Sequence, residues 1–374
     1  MIVGWIFPNR ERCGIAIYSR HYINALEKLC TVKIVDSDSW LNDSVKYQQL
    51  LNNCDIVHIQ YETSFFSQRH HNYYLDIIKR LKKPVIVSLH EIYRNFPGVF
   101  PREEITGGVI ISTLKKWYYD YRHPIQTAYR KHLSASFGAS TILVHHRYQK
   151  EILANQIQVK CPIIVHSMPI HEIQPINETI NLSQKSIVIG TTGFINPEFD
   201  YELLFKTLEQ LKMDWQFMWV GGIRTPEHQS LLDTINEWIG KRNWTGKFII
   251  TGWVSEESQS NFLAEIDIYV ALFKNRSSSA SIARAIGAHR LIIATDCQIV
   301  QEINDTFNNN VIHIVKNDCH EIVNTITSIL EDSQLIKMQQ LAINRYISAS
   351  NFNTMAETLI EIYNSTNKSF LQFF

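Results

Sequence analysis

The chain has 374 residues and a mass of 43.6 kDa, too long for one small core and suited to roughly two domains of about 150 to 200 residues each. Its 45% hydrophobic and 19% charged residues are those of a folded globule and exclude wholesale disorder or a collagen-like chain. The 36 Lys and Arg cancel the 36 Asp and Glu, so no global field gathers nucleic acid or an anionic membrane, and any anion site must be local.

The six cysteines, Cys13, Cys30, Cys54, Cys161, Cys297 and Cys319, form no CxxC pair and stand at no zinc spacing from histidines, which argues against a disulfide framework or structural metal. MIVGWIFPNRERCG lacks the basic and apolar regions of a signal peptide, and no apolar run reaches a membrane span. A reducing cytoplasm is the expected location.

In chain order, IVGWIF, the helical IAIYSRHYINALEKL, VKIVDS, DIVHIQY, the helical YYLDIIKRLKK and PVIVSLHE set a βαβ rhythm. Runs such as DIVHIQY and PVIVSLH are continuously apolar, as parallel strands buried on both faces require. A helical stretch rich in Tyr, Lys and Arg follows, then STILVHH, the helix RYQKEILANQ and the strand CPIIVHS. The polar stretch from Met168 to Lys185, with Pro169 and Pro175, reads as an interdomain linker.

The rhythm then restarts with SIVIGTTG, DYELLFKTLEQL, WQFMWVGG, SLLDTINEWIG, KFIITGWV, NFLAEI, DIYVALF, SIARAIGAH and RLIIATD. VIHIVK, HEIVNTITSILED and two further helical stretches complete the chain. The expected architecture is α/β, with two Rossmann-like, doubly wound parallel-sheet domains facing a central cleft. Residues 1–180 form the first domain and 181–355 the second. Residues 356–374 form a C-terminal helix that packs back across them.

Ligands of open α/β sheets bind beyond the carboxyl ends of the strands, so the loops there are the ones to interrogate. After the first strand, Gly14 opens a helix whose free amides can approach a phosphate. The strand ends HIQYE and VSLHE bring Tyr61, Glu62, His90 and Glu91 to one edge, where His90 or Glu62 can bond a sugar hydroxyl or move a proton. His145 ends another strand and can contact substrate. In the second half, Gly190 and Gly193 frame a turn and Asp200 reads as an N-cap. Gly221, Gly222 and Arg224 end another strand, where a guanidinium can reach a diphosphate. The loop FKNRSSSASIARAIGAH carries Lys274, Arg276, Ser277, Ser278, Ser279 and Ser281 ahead of a helix bearing Arg284. Serine hydroxyls and helix amides there suit a diphosphate.

Other clusters are weaker. His58, His70 and His71, and the pair His145 and His146, show no helical i, i+4 metal pattern with a carboxylate. Asp36 and Asp38 mimic a DxD metal-nucleotide motif. TLKKWYYDYRHPIQTAYRKHL mixes Lys115, Lys116, Arg122, Arg130 and Lys131 with Trp117, Tyr118, Tyr119 and Tyr121, a composition compatible with a membrane surface and a lipid-linked acceptor, or with ordinary domain surface.

Taken in order, the Gly14 loop, DIVHIQYE, PVIVSLHE, STILVHHRYQKEIL, TTGFINPEFDYELLFKTLEQL, FMWVGG and SIARAIGAHRLIIATD resemble the GT-B glycosyltransferases, and within them the retaining glycosyltransferase family 4. The resemblance implies a hexosyltransferase-like enzyme with a nucleotide-sugar donor held mainly by the C-terminal domain and a glycan, glycolipid or protein acceptor by the N-terminal one. It implies transfer with retention, no cofactor and no obligatory metal, in a cytoplasmic protein, at or near the inner membrane face, serving surface polysaccharide, glycolipid or glycoprotein synthesis. By position His90 matches the family's strand-end histidine at the transferred sugar, and Gly14 the loop facing the donor diphosphate.

The sequence also departs from the family. Phe194 and Phe199 stand where the family carries diphosphate-binding Arg and Lys, and Arg276 and Arg284 where it carries two glutamates. In one reading Arg224, Arg276 and the serine loop replace the lost cations. In another, the chain is a GT-B-like binding or regulatory partner of a second transferase. A nucleotide-sugar epimerase on the same architecture is a third.

Overall fold

A computed structural model describes residues 1–62, 65–68, 71–93, 105–123, 127, 138–156, 161–173, 186–274, 276, 278–306 and 310–372. His70, Ser277, Arg130 and Lys131 lie outside them. The chain divides into two units, Met1–Met168 with Phe352–Phe374, and Pro169–Asn351.

The first unit contains the strands β1 (Ile2–Phe7), β2 (Thr31–Asp36), β3 (Ile56–Tyr61), β4 (Val85–Leu89), β5 (Thr141–Val144) and β6 (Ile163–Val165). They form one parallel sheet in the order β2-β1-β3-β4-β5-β6. β3, β4 and β5 are buried at every residue, as their continuous apolar runs require of strands covered on both faces. The helices are α1 (Gly14–Leu26), α2 (Ser44–Asn52), α3 (Tyr73–Arg80), α4 (Val109–Arg122) and α5 (Arg147–Gln156). A two-residue antiparallel ladder joins Ser67–Gln68 to His71–Asn72.

The second unit repeats the plan with β7 (Ile187–Thr192), β8 (Trp215–Val220), β9 (Phe248–Ile250), β10 (Ile268–Ala271), β11 (Leu291–Thr295) and β12 (His313–Val315). Their order, β9-β8-β7-β10-β11-β12, is the dinucleotide-binding order 3-2-1-4-5-6. Its helices are α6 (Tyr201–Gln210), α7 (Gln229–Lys241), α8 (Glu256–Glu265), α9 (Ala280–Gly287), α10 (Gln298–Asp305), α11 (Cys319–Glu331) and α12 (Ser333–Ser350). Asp200, Ser255, Ser279, Asp318 and Asp332 cap α6, α8, α9, α11 and α12 through side-chain acceptors, which satisfies amides that lack intrahelical partners.

The last helix, α13 (Phe352–Leu371), belongs to the first unit. It buries Met355, Ala356, Leu359, Ile362, Tyr363 and Thr366 and packs on α1. The sequence boundaries at 180/181 and 355/356 therefore differ from those of the contacts, 168/169 and 351/352. The cause is local: Ile170 pairs with Asn351, and the Ile173 amide donates to the Gly287 carbonyl at 2.8 Å, so the start of the anticipated linker is already anchored in the second unit.

Each sheet has one point at which strand order reverses: between β1 and β3 in the first, between β7 and β10 in the second. Crevices beyond the strand ends at such points are where open α/β sheets take ligands.

Candidate functional site

In the second unit the reversal point is built from backbone. β7 ends in Thr192 and Gly193 follows it, with φ +113°. The Gly193 amide donates to the Val220 carbonyl at 3.0 Å, and the Trp219 indole donates to the Gly193 carbonyl at 3.0 Å. Gly221, at φ +145°, lies so close to this loop that a Cβ there would sit 2.1 Å from the Gly193 oxygen. Only glycine permits that approach. The Thr192 amide donates to the Tyr269 hydroxyl at 3.2 Å, which ties β7 to β10.

The loops after β7 and β10 are also stapled together. The Asp200 amide donates to the Leu272 carbonyl (2.7 Å) and the Lys274 amide to the Glu198 carbonyl (2.8 Å). Arg276 is ion-paired with Glu198, both largely buried, and its guanidinium lies over the Phe273 ring. Arg276 thus arrives at the reversal point already matched to a carboxylate. Ser279 is buried and caps α9, accepting from the Ile282 amide at 3.2 Å and lying 2.9 Å from the Ser281 hydroxyl. Ser278 is half-buried in the same loop.

Gly193 faces the first turn of α9, where a Cβ on it would stand 3.9 Å from that of Ser281. One turn on, Arg284 is half-buried. Burial lowers its pKa, opposed by Glu256 and Tyr269, and among the described residues no acceptor hydrogen-bonds to it. A guanidinium has five N–H donors, and those of Arg284 are available to a ligand anion.

The two phenylalanines at the family's cation positions behave differently. Phe199 is core, packed on Tyr201, Trp219 and Phe273. Phe194 is half-buried and carries the exposed Arg224 guanidinium over its ring at 5.6 Å, so a cation returns to that position from the neighbouring loop. The place of Arg224 after a strand points to this role in the sequence; its aromatic support is not visible in spacing alone.

In the first unit Gly14 is exposed at the start of α1, where an added Cβ would meet nothing within 4 Å, and α1 has no side-chain cap. Its first-turn amides are thus not masked by a capping side chain. Asp36 and Asp38 have structural work instead. Asp36 accepts from the Asn9 amide at 3.0 Å and the Ser39 hydroxyl at 2.9 Å, and Asp38 takes Arg10 through two bonds of 2.7 and 2.8 Å. Among the described residues no group of three metal-ligating side chains converges.

Tyr61 goes to the core, stacked on Phe66 and tilted against Tyr74. Glu62, just beyond β3, is half-buried and Glu91 is exposed. The His90 amide bonds the Tyr61 carbonyl at 3.4 Å, so His90 and Glu62 do share one edge.

His90 itself is buried in a chain of side chains that the sequence did not announce. Its Nε2 meets the Gln60 side chain at 2.9 Å and its Nδ1 meets His145 Nε2 at 3.2 Å. Gln60 continues to His58 Nε2 at 3.1 Å. His58 also bonds Ser88 (2.7 Å) and, through Nδ1, Tyr363 of α13 (2.6 Å). His145 Nδ1 faces the His166 carbonyl at 3.2 Å, and the His166 ring bonds Tyr22 at 2.6 Å. Burial holds every one of these imidazoles neutral: His58 and His90 fall well below the usual histidine range, His145 to about 4 and His166 to about 3. Neighbouring His146, stacked on Tyr148, falls to about 3 for the same reason.

Donor counting gives this chain two directions. With the Gln60 oxygen toward His90, His145 donates to His90, His90 to Gln60 and Gln60 to His58. That leaves His145 Nδ1 without a proton opposite the His166 carbonyl, which can only accept. Turning the Gln60 amide by 180° reverses each donor: Tyr363 donates to His58, His58 to Gln60, Gln60 to His90, His90 to His145, and His145 to the carbonyl. Each link from Tyr363 to the His166 carbonyl then has one donor and one acceptor, while the His166 ring bonds Tyr22 through Nε2 and leaves its buried Nδ1 without a partner among the described residues. In either direction both His90 ring nitrogens are engaged by the protein.

Residues 186–332 match the family model described as Glycosyl transferases group 1. In structure the chain is similar to Anabaena HepE in complex with UDP-glucose, at 13% identity and a TM-score of 0.72, covering 98% of this chain and 100% of that one. It is similar to a glycosyltransferase of Rickettsia africae (17%, TM-score 0.67, 98% of each chain) and to sucrose-phosphate synthase of Thermosynechococcus elongatus (11%, TM-score 0.67, 98% of this chain and 99% of that one). At these identities the likeness is one of fold. Among curated proteins, 58 residues are 34% identical to histone chaperone asf1 of Drosophila melanogaster, 15% of this chain and 26% of that protein, so the chain spans about a quarter of that relative's length. The fold is that of the GT-B glycosyltransferases, and the part of the chain that matches the group 1 model lies within the second unit.

Proposed function

We propose that the protein is a retaining glycosyltransferase that moves a sugar from a nucleotide-sugar donor to a glycan, glycolipid or protein acceptor without an obligatory metal. The observation that carries this reading is the β7/β10 reversal point. Gly193 lies against the first turn of α9, and behind it Arg284 is half-buried with no hydrogen-bonded acceptor among the described residues. A diphosphate fits that chemistry: backbone amides and a fixed cation supply the charge stabilisation that a metal would otherwise give. HepE in complex with UDP-glucose supports a nucleotide-sugar donor.

In the reaction the bond from the anomeric carbon to the diphosphate breaks and the acceptor oxygen bonds that carbon on the same face. The departing diphosphate takes the electron pair of the broken bond and, on the same face, the proton of the acceptor hydroxyl. Gly193, Arg224, Arg284 and the α9 amides hold the diphosphate, with Arg276 and Ser278 at the rim of the loop. In the first unit Gly14 is assigned to the donor diphosphate, and Glu62, Glu91 and His90 are the groups to test on the acceptor side. A neutral His90 can bond a sugar hydroxyl by exchanging Gln60 or His145 for it, which makes it a positioning donor rather than a base. The pathway we assign is cytoplasmic synthesis of a surface polysaccharide or related glycoconjugate.

Calorimetric titration with UDP, GDP, ADP, dTDP and their sugar conjugates, with chelator present, tests the donor site, because a ligand of the native state raises its melting temperature by mass action. Selective binding of one nucleotide is the expected result. The pairing of Arg276 with Glu198 favours a second reading, a non-catalytic partner of another transferase, and absence of binding by every nucleotide would establish that one instead. His90→Ala should lower turnover more than nucleotide affinity; ordinary kinetics would remove His90 from the site.

A further inference from the structure

Helix α4 has its faces inverted. Ile110, Leu114, Trp117 and Tyr121 follow one another at i, i+4, i+7 and i+11, the spacing of a single helix stripe. In a helix packed on a core that stripe is the buried one. Here these residues are 77%, 62%, 68% and 65% exposed, and Val109, Ile111 and Tyr118 widen the same apolar surface. The inward side is the polar one: Ser112, Lys116 and Asp120 are half-buried and Tyr119 is buried. The exposed charged residues of α4 are Lys115 and Arg122, both cationic, and on a helical wheel they border the apolar stripe. Trp117 and Tyr121 stack with ring centroids 6.3 Å apart.

Seven large apolar side chains exposed within one helix exceed the scattered ones any surface carries. Their chemistry also selects an occupant. Tyr and Trp have an apolar body and a polar edge suited to the boundary between lipid headgroups and acyl chains, and flanking Lys and Arg reach anionic headgroups. No described helix is long and apolar enough to cross a membrane, so an in-plane mode of contact is the one this helix offers.

We propose that α4 is a docking element for the surface of an anionic phospholipid bilayer, with Ile110, Leu114, Trp117 and Tyr121 inserted at headgroup depth and Lys115 and Arg122 on the phosphates. The inference does not depend on the transferase reading, and its test contains no nucleotide. The full chain and the variant Leu114→Glu/Trp117→Glu are floated with phosphatidylcholine vesicles, with and without phosphatidylglycerol. Both substituted positions are exposed, and unchanged circular dichroism and melting temperature verify the variant's fold. The expected result is co-flotation of the wild type that is stronger with the anionic vesicles and falls roughly tenfold or more in the variant. A blue shift of tryptophan emission on mixing should vanish in Trp117→Phe. Wild-type protein that stays at the bottom of both gradients, or a variant that floats equally well, overturns the proposal. So does a dimer in sedimentation that Leu114→Glu/Trp117→Glu dissolves while vesicles bind neither protein, because the face would then belong to a second copy.

Discussion

The two units share a plan of six parallel strands between helices, yet they fill it in opposite ways. The first sends polar side chains inward: His58, Gln60, Ser88, His90, His145 and His166 are all buried on β3 to β6 or just beyond them. The second fills the same layer with Phe199, Tyr201, Phe205, Trp215, Phe217 and Trp219 and leaves its polar chemistry to glycine-rich strand ends. Internal pairing stiffens a buried polar chain, and the first unit's strand ends spend most of their polar groups on one another. The second unit's are open because backbone and Arg284 keep donors unspent. The architecture is common to both; readiness for an anion is not.

Acid is the strongest way to separate them. Five imidazoles of the first unit, His58, His90, His145, His146 and His166, have native pKa values depressed by burial. Their stabilisation is therefore complete above the unfolded value of about 6.5 and is lost as pH falls from there toward the native values, about 4 for His145, about 3 for His146 and His166, and well below the usual range for His58 and His90, because only the unfolded chain takes up protons in that window. An independent group of this kind costs about 1.4 kcal/mol per pH unit in that window, so a coupled set of them is a sizeable part of a domain's stability of about 5–15 kcal/mol. In the second unit burial lowers His313 in the same direction. Hydrogen exchange read by fragment should show the first unit opening near pH 5 while the second stays protected; simultaneous opening would break the contrast.

The next largest effect is steric and belongs to the second unit. Gly221→Ala places a Cβ against the Gly193 carbonyl at a positive φ and should cost roughly 3 kcal/mol or more. Gly14→Ala, facing open space, should shift stability by about 0.5 kcal/mol or less. Chemical denaturation measures both, and equal losses would mean that the two glycine loops are built alike.

How far this was legible in sequence follows the range of each interaction. Continuous apolar runs announced the buried strands, and Asp200 and Ser279 announced their caps, since both signals are local. α2 and α10 went unread among neighbouring polar stretches. The histidine chain was invisible because all but one of its links join residues 21 to 305 positions apart, as His145 to the His166 carbonyl and His58 to Tyr363. The composition of α4 was readable but not which stripe faces out, because periodicity fixes the stripe and not its direction. At the candidate site, Gly193, Arg224 and the serine loop were found by their place after strands. The Glu198 partner of Arg276 was missed, because two loops far apart in sequence meet only where β7 lies beside β10.

That partner sharpens the comparison within the second unit. Arg284→Gln should weaken nucleoside-diphosphate binding by about 1 to 3 kcal/mol, the worth of a charge-assisted hydrogen bond. Arg276→Gln should weaken it less, because Glu198 already holds that guanidinium. Calorimetry ranks the two, and a larger loss at Arg276 would move the anion site from α9 to the loop before it.

The smallest effect separates two roles within one serine run. Ser279 accepts from the Ile282 amide, so Ser279→Ala should lower stability by about 1 kcal/mol, the usual value of a helix cap. Its hydroxyl is already committed to the helix and to Ser281, so nucleotide affinity should stay within about twofold once the stability change is allowed for. Among the described residues Ser278 caps no helix, and Ser278→Ala should leave the melting temperature unchanged while lowering affinity if its hydroxyl bonds phosphate. Melting curves with and without nucleotide decide the matter. An affinity loss confined to Ser279→Ala would make the cap itself a ligand group, and the helix would then exchange an internal acceptor for the diphosphate on binding.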